Sequence, residues 1–486
     1  MKKVLIISLL VFIISESANS FCGFYVSKAD GTLKNKTSQV ILVRDGERTV
    51  ITMYNDFKGD VKDFAMVVPV PVVLQKSDIK IVDNAIFKTL NDYSAPRLVE
   101  YFDQNPCNKM YLDKEESGVA MSRNLAYANT SDSSSYKKGV TIEASYTVGE
   151  YDILILSAKE SSGLKTWLTE NGYKIPKGAE EVLEPYIKSN LKFFVVKVNL
   201  KEKEKAGLDN LRPIQIKFNS PKFMLPIRLG MANSDGDQDL IVYAFTKTGK
   251  VEATNYRTVP IPSSQNVPLF VQNKFTDFYS SLFQHQWSRE NKSVVFTEYA
   301  WDVSPANYVK CDPCASNPPD NSDLNAAGVW WIGNTYTNYV DEYEPGKGQV
   351  YFTRLHIRYN RKSFPQDLFF QVTPDKENFQ ARYIITHPAS GNFTCEAGKR
   401  YLKDLRVRRE KEMDMLGWLT GKPSEDWNIS FKDEENQEVS LESTYAVIAD
   451  DLKKPIENEF PTKGLLFAST MILGCITFVR WRNRIS

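Results

Sequence analysis

The chain is organised around Leu240-Ile241-Val242-Tyr243-Ala244-Phe245, an unbroken apolar run inside the longer stretch Phe223 to Pro262. A strand wetted on one face alternates apolar and polar residues, so a continuous run of this length predicts a strand covered on both faces, at the centre of a sheet. Lys247-Thr248-Gly249-Lys250 reads as the turn after it, with Gly249 free to take positive φ and Val251 to Val259 as the returning strand. The polar loop Asn233 to Asp239 before the run is the one place in this region where chemistry could sit.

Taken in order, Gln39 to Asn55 reads as two strands about Asp45-Gly46, a dipeptide suited to a tight hairpin. Asp63 to Leu74 is a strand whose Pro69 and Pro71 lack ladder donors, which places its end at an edge. Asp83 to Tyr93 carries Ile86, Leu90 and Tyr93 at helical spacing. Lys114 to Lys138, rich in Ser, Asn, Asp and Lys, predicts a loop. Val140 to Leu156 returns to strand character, Ser162 to Asn171 and Glu180 to Ser189 are helices, and Leu191 to Leu200 is a strand. That order suggests helices on one face of a sheet. Phe270 to Gln286 is an aromatic-rich helix, Val294 to Trp301 a strand, and Val350 to Tyr359, Leu368 to Thr373 and Phe379 to Thr386 add further β structure. Lys399 to Leu416 is the longest helical pattern, and its interleaved charges predict a solvated face.

The ends speak of location. Residues 1–20 combine Lys2-Lys3, an apolar stretch Val4 to Ile14 and a closing Ala18-Asn19-Ser20, the three parts of an export signal cleaved after Ser20. Residues 464–480 are apolar up to Arg480, and Gly464 to Val479 spans ~24 Å as a helix against a ~30 Å hydrocarbon core, short but sufficient for one membrane crossing. Arg480, with Arg482 and Arg484 in the tail 481–486, favours a cytoplasmic end. The expected fold is therefore α+β, with mixed or antiparallel sheets, flanking helices and one C-terminal transmembrane helix. The ectodomain would span 21–463, with lobes 21–200 and 201–445 and a linker 446–463. At 486 residues and 42% apolar content the chain can bury a sizeable core. Its formal charge of +1 gives no support to a nucleic-acid partner.

Several long segments, taken together, resemble one known family. They are CGFYVSKADGTLKNKTSQVILVRDGERTVITMYND, SAPRLVEYFDQNPC, VGEYDILILSAKESSGLKTWLTENGY, LGMANSDGDQDLIVYAFTKTGKVEATNYRTV, EYAWD with CDPC, and HPASGNFTCEAGKRYLKDLRVRRE. The family is that of exported bacterial proteins called domain of unknown function 2330, and the resemblance runs over about Cys22 to Gly421. It implies a cell-envelope location and no catalytic residues.

Cys22, Cys107, Cys311, Cys314 and Cys395 lie outside the apolar tail that holds Cys475, an odd number in an oxidising setting. Cys22 with Cys107 is a natural tie, while Cys311 and Cys314 can close on each other or reach Cys395. A redox reading of Cys311-Asp312-Pro313-Cys314 competes with structural bridging, but ASNPPDNSD after Cys314 cannot promptly start the helix that would depress a thiol pKa. Asp235, Asp237 and Asp239 offer oxygens at calcium-loop spacing, yet Leu240 and Thr246 stand where such a loop needs Gly and Glu, so calcium competes with a solvated turn. Trp330, Trp331, Tyr336, Tyr339 and Tyr343 could form a glycan- or partner-binding face or pack into the core. His285, His356 and His387 are the only histidines, and no hydrolytic constellation accompanies them.

These features predict a single-pass membrane-anchored module of the cell envelope, binding a protein or glycan without catalysis and without a cofactor. The alternative is an envelope enzyme exchanging thiols and disulfides through Cys311 and Cys314.

Overall fold

The computed structural model describes residues 24–27, 38–54, 64–108, 140–171, 179–208, 211–233, 236–305, 316–332 and 348–427. The chain divides into two compact units, Met1–Ala389 with Phe393–Ser424, and Ser390–Asn392 with Glu425–Ser486. The elements below belong to the first. The export segment 1–20, the loop Lys114 to Lys138, the linker 446–463, the apolar stretch 464–480 and the tail 481–486 fall outside the described residues. Among the described residues no helix is long and apolar enough to cross a membrane.

In chain order the first strands are β1 (Phe24–Ser27), β2 (Ser38–Asp45), β3 (Arg48–Met53), β4 (Phe64–Val70) and β5 (Ile79–Ile81), followed by α1 (Ala85–Ser94) and β6 (Arg97–Phe102). The hairpin β7 (Val140–Val148) and β8 (Tyr151–Ala158) leads to α2 (Ser161–Glu170), α3 (Ala179–Lys188), β9 (Lys192–Val198) and the short α4 (Leu200–Lys205). Then come β10 (Ile214–Asn219), β11 (Met224–Leu225), β12 (Gln238–Thr246), β13 (Val251–Ala253), β14 (Arg257–Pro260) and β15 (Gln265–Asn266). Helix α5 (Phe275–Arg289), β16 (Val294–Asp302) and α6 (Asn321–Ala327) precede β17 (Tyr351–Tyr359), β18 (Leu368–Val372), β19 (Phe379–Gln380), β20 (Arg382–His387) and α7 (Glu396–Thr420).

The apolar run forms the middle of β12, which lies between β2 and β17 in a nine-stranded mixed sheet ordered β14-β16-β17-β12-β2-β3-β10-β5, with β19 beside β16. Strand alternation explains the unbroken run. Leu240, Val242 and Ala244 join one hydrophobic cluster and Ile241, Tyr243 and Phe245 another, on opposite faces of the sheet. The first cluster also holds Met66, Val68, Ile153 and Phe194 from an antiparallel five-stranded sheet ordered β1-β4-β9-β8-β7, so the two sheets face each other. The outer face of the five-stranded sheet is covered by Leu164 and Leu168 of α2 and Leu183 and Tyr186 of α3, as the strand-helix-helix-strand order suggests. The outer face of the large sheet packs on α1 and α6 through Ile86, Phe87, Leu90 and Leu324. The fold is thus α+β.

Local readings hold at several points. The hairpin β2–β3 turns over Gly46 and Glu47, with Gly46 at φ 56°. Pro69 pairs with Phe193 of β9 on one side, and on the other side the β1 ladder has ended at Val67. A proline with no N–H is tolerated where no neighbour asks for one.

Two expectations are corrected. Gly249 does not take positive φ, and β12 does not fold back on Val251 to Val259. Instead β13 leaves the large sheet to pair with β18, while β14 joins β16 at the sheet edge. Gly249 is needed for close approach, since a Cβ there would lie 2.3 Å from the Thr373 carbonyl oxygen and 2.5 Å from that of Asp375. The partition at residue 200 also fails to separate sheets, because β2, β3 and β5 share the large sheet with β10, β12, β16 and β17.

Gly249→Ala should therefore lower stability by about 1–3 kcal/mol, as overpacking against backbone does. Guanidinium unfolding of wild type and variant checks this, and equal midpoints would show that the strand crossing yields easily.

Candidate functional site

Two polar assemblies stand out in the described residues, one largely buried beneath a helix and one at an open groove. The buried one lies where the β16 ladder slips. β16 and β17 pair in register up to Thr297 and again from Tyr299, so Glu298 is the extra residue of a β-bulge. Phe296 lies opposite His356, so alternation puts the fully buried Glu298 carboxylate on the face of β17 where Arg354, His356 and Arg358 stand at strand spacing, and the bulge keeps the next residue, Tyr299, on that face too. Glu298 accepts from Arg354 Nε at 2.6 Å, lies 2.6 Å from His356 Nδ1, and accepts from the Tyr279 hydroxyl of α5. On the other flank Asp239 of β12 takes a bidentate bond from Arg358, both contacts at 2.7 Å, and its Oδ1 is 3.6 Å from His356 Nε2. Phe283 of α5 stacks over His356 with ring centroids 3.9 Å apart and closes the assembly from above.

Burial opposes the charge on Glu298, yet His356 and Arg354 hold its carboxyl well below the usual carboxylate range. Asp239 is depressed likewise against burial, by His356 and Arg358. Burial disfavours a charged His356, but Glu298 and Asp239 on its two sides override it and raise its pKa. The assembly is a charge lock between sheet and helix.

The open assembly is built on a three-stranded parallel sheet ordered β15-β20-β6. Beyond the end of β6, Cys107 bonds Cys395, the residue that caps α7, across a sequence separation of 288. The Gly398 N–H donates to Cys395 Sγ at 3.2 Å, and any side chain at Gly398 would strike Cys107 Sγ at 2.7 Å. So tethered, α7 lies along the sheet. Arg408 grips Asp103 with contacts of 3.2 and 2.5 Å, Tyr401 donates to Asp103 at 2.7 Å, and the Arg409–Glu412 pair at 2.8 Å is buried. Burial raises the pKa of Glu412 despite Arg409 and Arg408. Between α7 and β15 a groove of about 480 Å³ is lined by Gln265, Asn266, Asp404, Arg408, Lys411 and Met415, with Val407 and Glu412 completing it. At the same end of β6, Phe102 is 67% exposed and stacks at 4.4 Å on His387, which is 2.9 Å from Glu100.

The sites expected from sequence fare unevenly. The tie of Cys22 to Cys107 is overturned, since Cys107 pairs with Cys395; Cys22, Cys311 and Cys314 lie outside the described residues. Of the calcium-spaced carboxylates, Asp235 lies outside them, Asp237 accepts from Asn360 at 2.6 Å, and Asp239 is turned to Arg358. Trp330 and Trp331 are partly buried against the core, under Arg48 and Lys247 respectively, and Tyr336, Tyr339 and Tyr343 fall outside the described residues. The helix read as a solvated charged face in fact turns Arg408, Arg409 and Glu412 inward. Glu298 and the β15 wall were missed, because neither a one-residue ladder slip nor a two-residue strand leaves a periodic signal.

Comparison with known proteins gives a family and no more. The family model DUF2330, described as an uncharacterized protein conserved in bacteria, matches residues 16–371. No curated protein and no solved structure matches the chain. The matched span contains the charge lock and β15, while β20 and α7 lie beyond it.

Removing one partner of a buried pair strands the other. Glu298→Gln should cost about 3–5 kcal/mol in denaturant unfolding. For His356 the pKa is raised on folding, so its contribution is complete below the ordinary histidine value and fades as pH rises through the folded one. The penalty of His356→Gln should accordingly be larger at about pH 5.5 than at about pH 9. A penalty that grew with pH would mean that His356 sits there neutral.

Proposed function

The chain belongs to the DUF2330 family of uncharacterised bacterial proteins, and on that premise we propose that it is a non-catalytic binding module of the cell envelope, exported and held by a single C-terminal helix. The observation that carries this reading is the Cys107–Cys395 bridge, which fastens the functional helix α7 to the end of β6 over 288 residues of chain. Such long-range structural bridges persist where the surroundings are oxidising, outside the cytoplasm. The signal-like residues 1–20 and the apolar, arginine-flanked stretch 464–480 support the same location.

Binding rather than catalysis follows from where the polar groups are. The charge lock lies beneath α5 with Glu298 and Arg354 buried, and at its rim Asp239 and Arg358 are spent on each other, so the assembly serves packing. The open groove carries side chains suited to holding a ligand. Its Arg408 is committed to Asp103 and its Glu412 to Arg409, and no serine, threonine or cysteine nucleophile lines it. The partner in this reading is an envelope protein or glycan, with the membrane contacted only through the terminal helix.

Removal of Gly464 to Ser486 should shift the protein from the membrane to the soluble extracytoplasmic fraction, with a mature terminus at Phe21 in mass spectrometry. A truncated chain that still pelleted after a high-salt wash, or that kept residues 1–20, would overturn the topology. In the same extract Cys107 and Cys395 should resist alkylation until the protein is unfolded and reduced, and Cys395→Ser should cost about 2–5 kcal/mol of stability.

A further inference from the structure

We propose that the groove between β15 and α7 binds an uncharged, hydroxyl-rich ligand, a neutral oligosaccharide. The inference rests on the binding-module reading and names its ligand class. The groove's volume of about 480 Å³ lies within the ~300–1,000 Å³ typical of small-ligand clefts.

Its walls are held before any ligand arrives. On the β15 side, Ser264 takes φ 57°, a conformation uncommon for a residue with a side chain. That conformation is fastened by Ser263 Oγ donating to the Gln380 carbonyl at 2.7 Å and accepting from Arg382 N at 2.9 Å. The Gln265 amide, next in the chain, donates to the Ser263 carbonyl at 3.0 Å. On the α7 side, Arg408 is gripped by Asp103 and Glu412 by Arg409. Preorganised polar walls lose little entropy on binding.

The charges select the ligand. Arg408 is balanced by Asp103, Arg409 by Glu412, and the two remaining lining charges, Asp404 and Lys411, are opposite in sign two helical turns apart. An anion would meet Asp404 and a cation Lys411, whereas a neutral hydroxyl can donate to the carboxylate and accept from the ammonium. Amides at Gln265 and Asn266 add one donor and one acceptor type each on the facing wall. An extended peptide is disfavoured, because β15 is two residues long and cannot template a strand. The apolar side of a sugar ring has Met415 and the 42% exposed Val407 to rest on. Trp418, at i+7 from Lys411 and i+11 from Val407, lies on the same helix face and is 48% exposed, which continues the surface along α7.

The test is titration calorimetry of the full-length protein in detergent with malto-, cello- and chito-oligosaccharides of two to six units, beside polygalacturonate and oligolysine as charged controls. Binding of a neutral series member with a dissociation constant below about 1 mM, weakened roughly tenfold or more by Asp404→Ala and by Gln265→Ala at unchanged Tm, is the expected result. Both side chains lie at the groove surface, and Asp404 is exposed, so the fold should survive. The proposal is overturned if all neutral oligosaccharides stay silent, if only a charged control binds, or if neutral binding ignores both substitutions. In the last case the chain still binds a glycan elsewhere, and the binding-module reading survives its groove.

Discussion

The structure depends on one buried carboxylate. Glu298 lies on β16, one strand in from the edge of the largest sheet, and without it Arg354 and His356 would be desolvated cations with no adjacent counter-charge on that strand. Desolvating an unpaired charge costs several kcal/mol, a large share of any domain's net stability. The β-bulge is what completes the arrangement. Val295 faces the inner cluster and Phe296 packs on Phe283 of α5, so alternation puts Glu298 on the outer face with His356, and the extra residue keeps Tyr299 on that face as well. With the bulge, Tyr299 resumes the register on the outer cluster and packs on Tyr93 of α1 with ring centroids 5.5 Å apart.

This lock separates two uses of polar side chains. In the large sheet, charges are paired beneath α5, which specifies how the helix sits on the strands. Along α7 the pairing is similar in kind but placed at a rim, so the same residues that dock the helix also shape a groove. Arg408 belongs to both, gripping Asp103 while lining the open side. The disulfide sets where that helix begins, and the Asp103 cluster sets its rotation.

Much of this was legible in the residues. The two-sided burial of Leu240 to Phe245, the Gly46 hairpin, the edge position forced by Pro69 and the α2–α3 layer all follow from local patterns whose cause is local. What escaped depends on long-range partners. Gly249 looked like a turn glycine because its neighbours are turn formers, yet its role is set by the carbonyls of Thr373 and Asp375 far along the chain. Cys107 looked like a partner for Cys22 because both flank amino-terminal elements, and nothing near it announces Cys395. Arg409 and Glu412 looked solvated because they alternate with lysines and acids that are, and only the packing of α7 on β20 distinguishes the inward pair from the outward ones.

The parallel pairing of β2 with β12, Ser38 against Leu240 and Val43 against Phe245, fixes an order of events in time. The hairpin β2–β3 can form as soon as it leaves the ribosome, but its Val40, Ile41, Leu42 and Val43 are fully covered only in the finished molecule. β12 is synthesised some two hundred residues later, and β17, which seals its other edge, later again. Contacts so distant in sequence close slowly, and in the interval an apolar two-stranded ribbon with open edges invites pairing with a second nascent copy. A chain of this topology therefore has to be shielded until its carboxyl-terminal strands arrive, and the yield of native protein is governed by that wait as much as by the final stability.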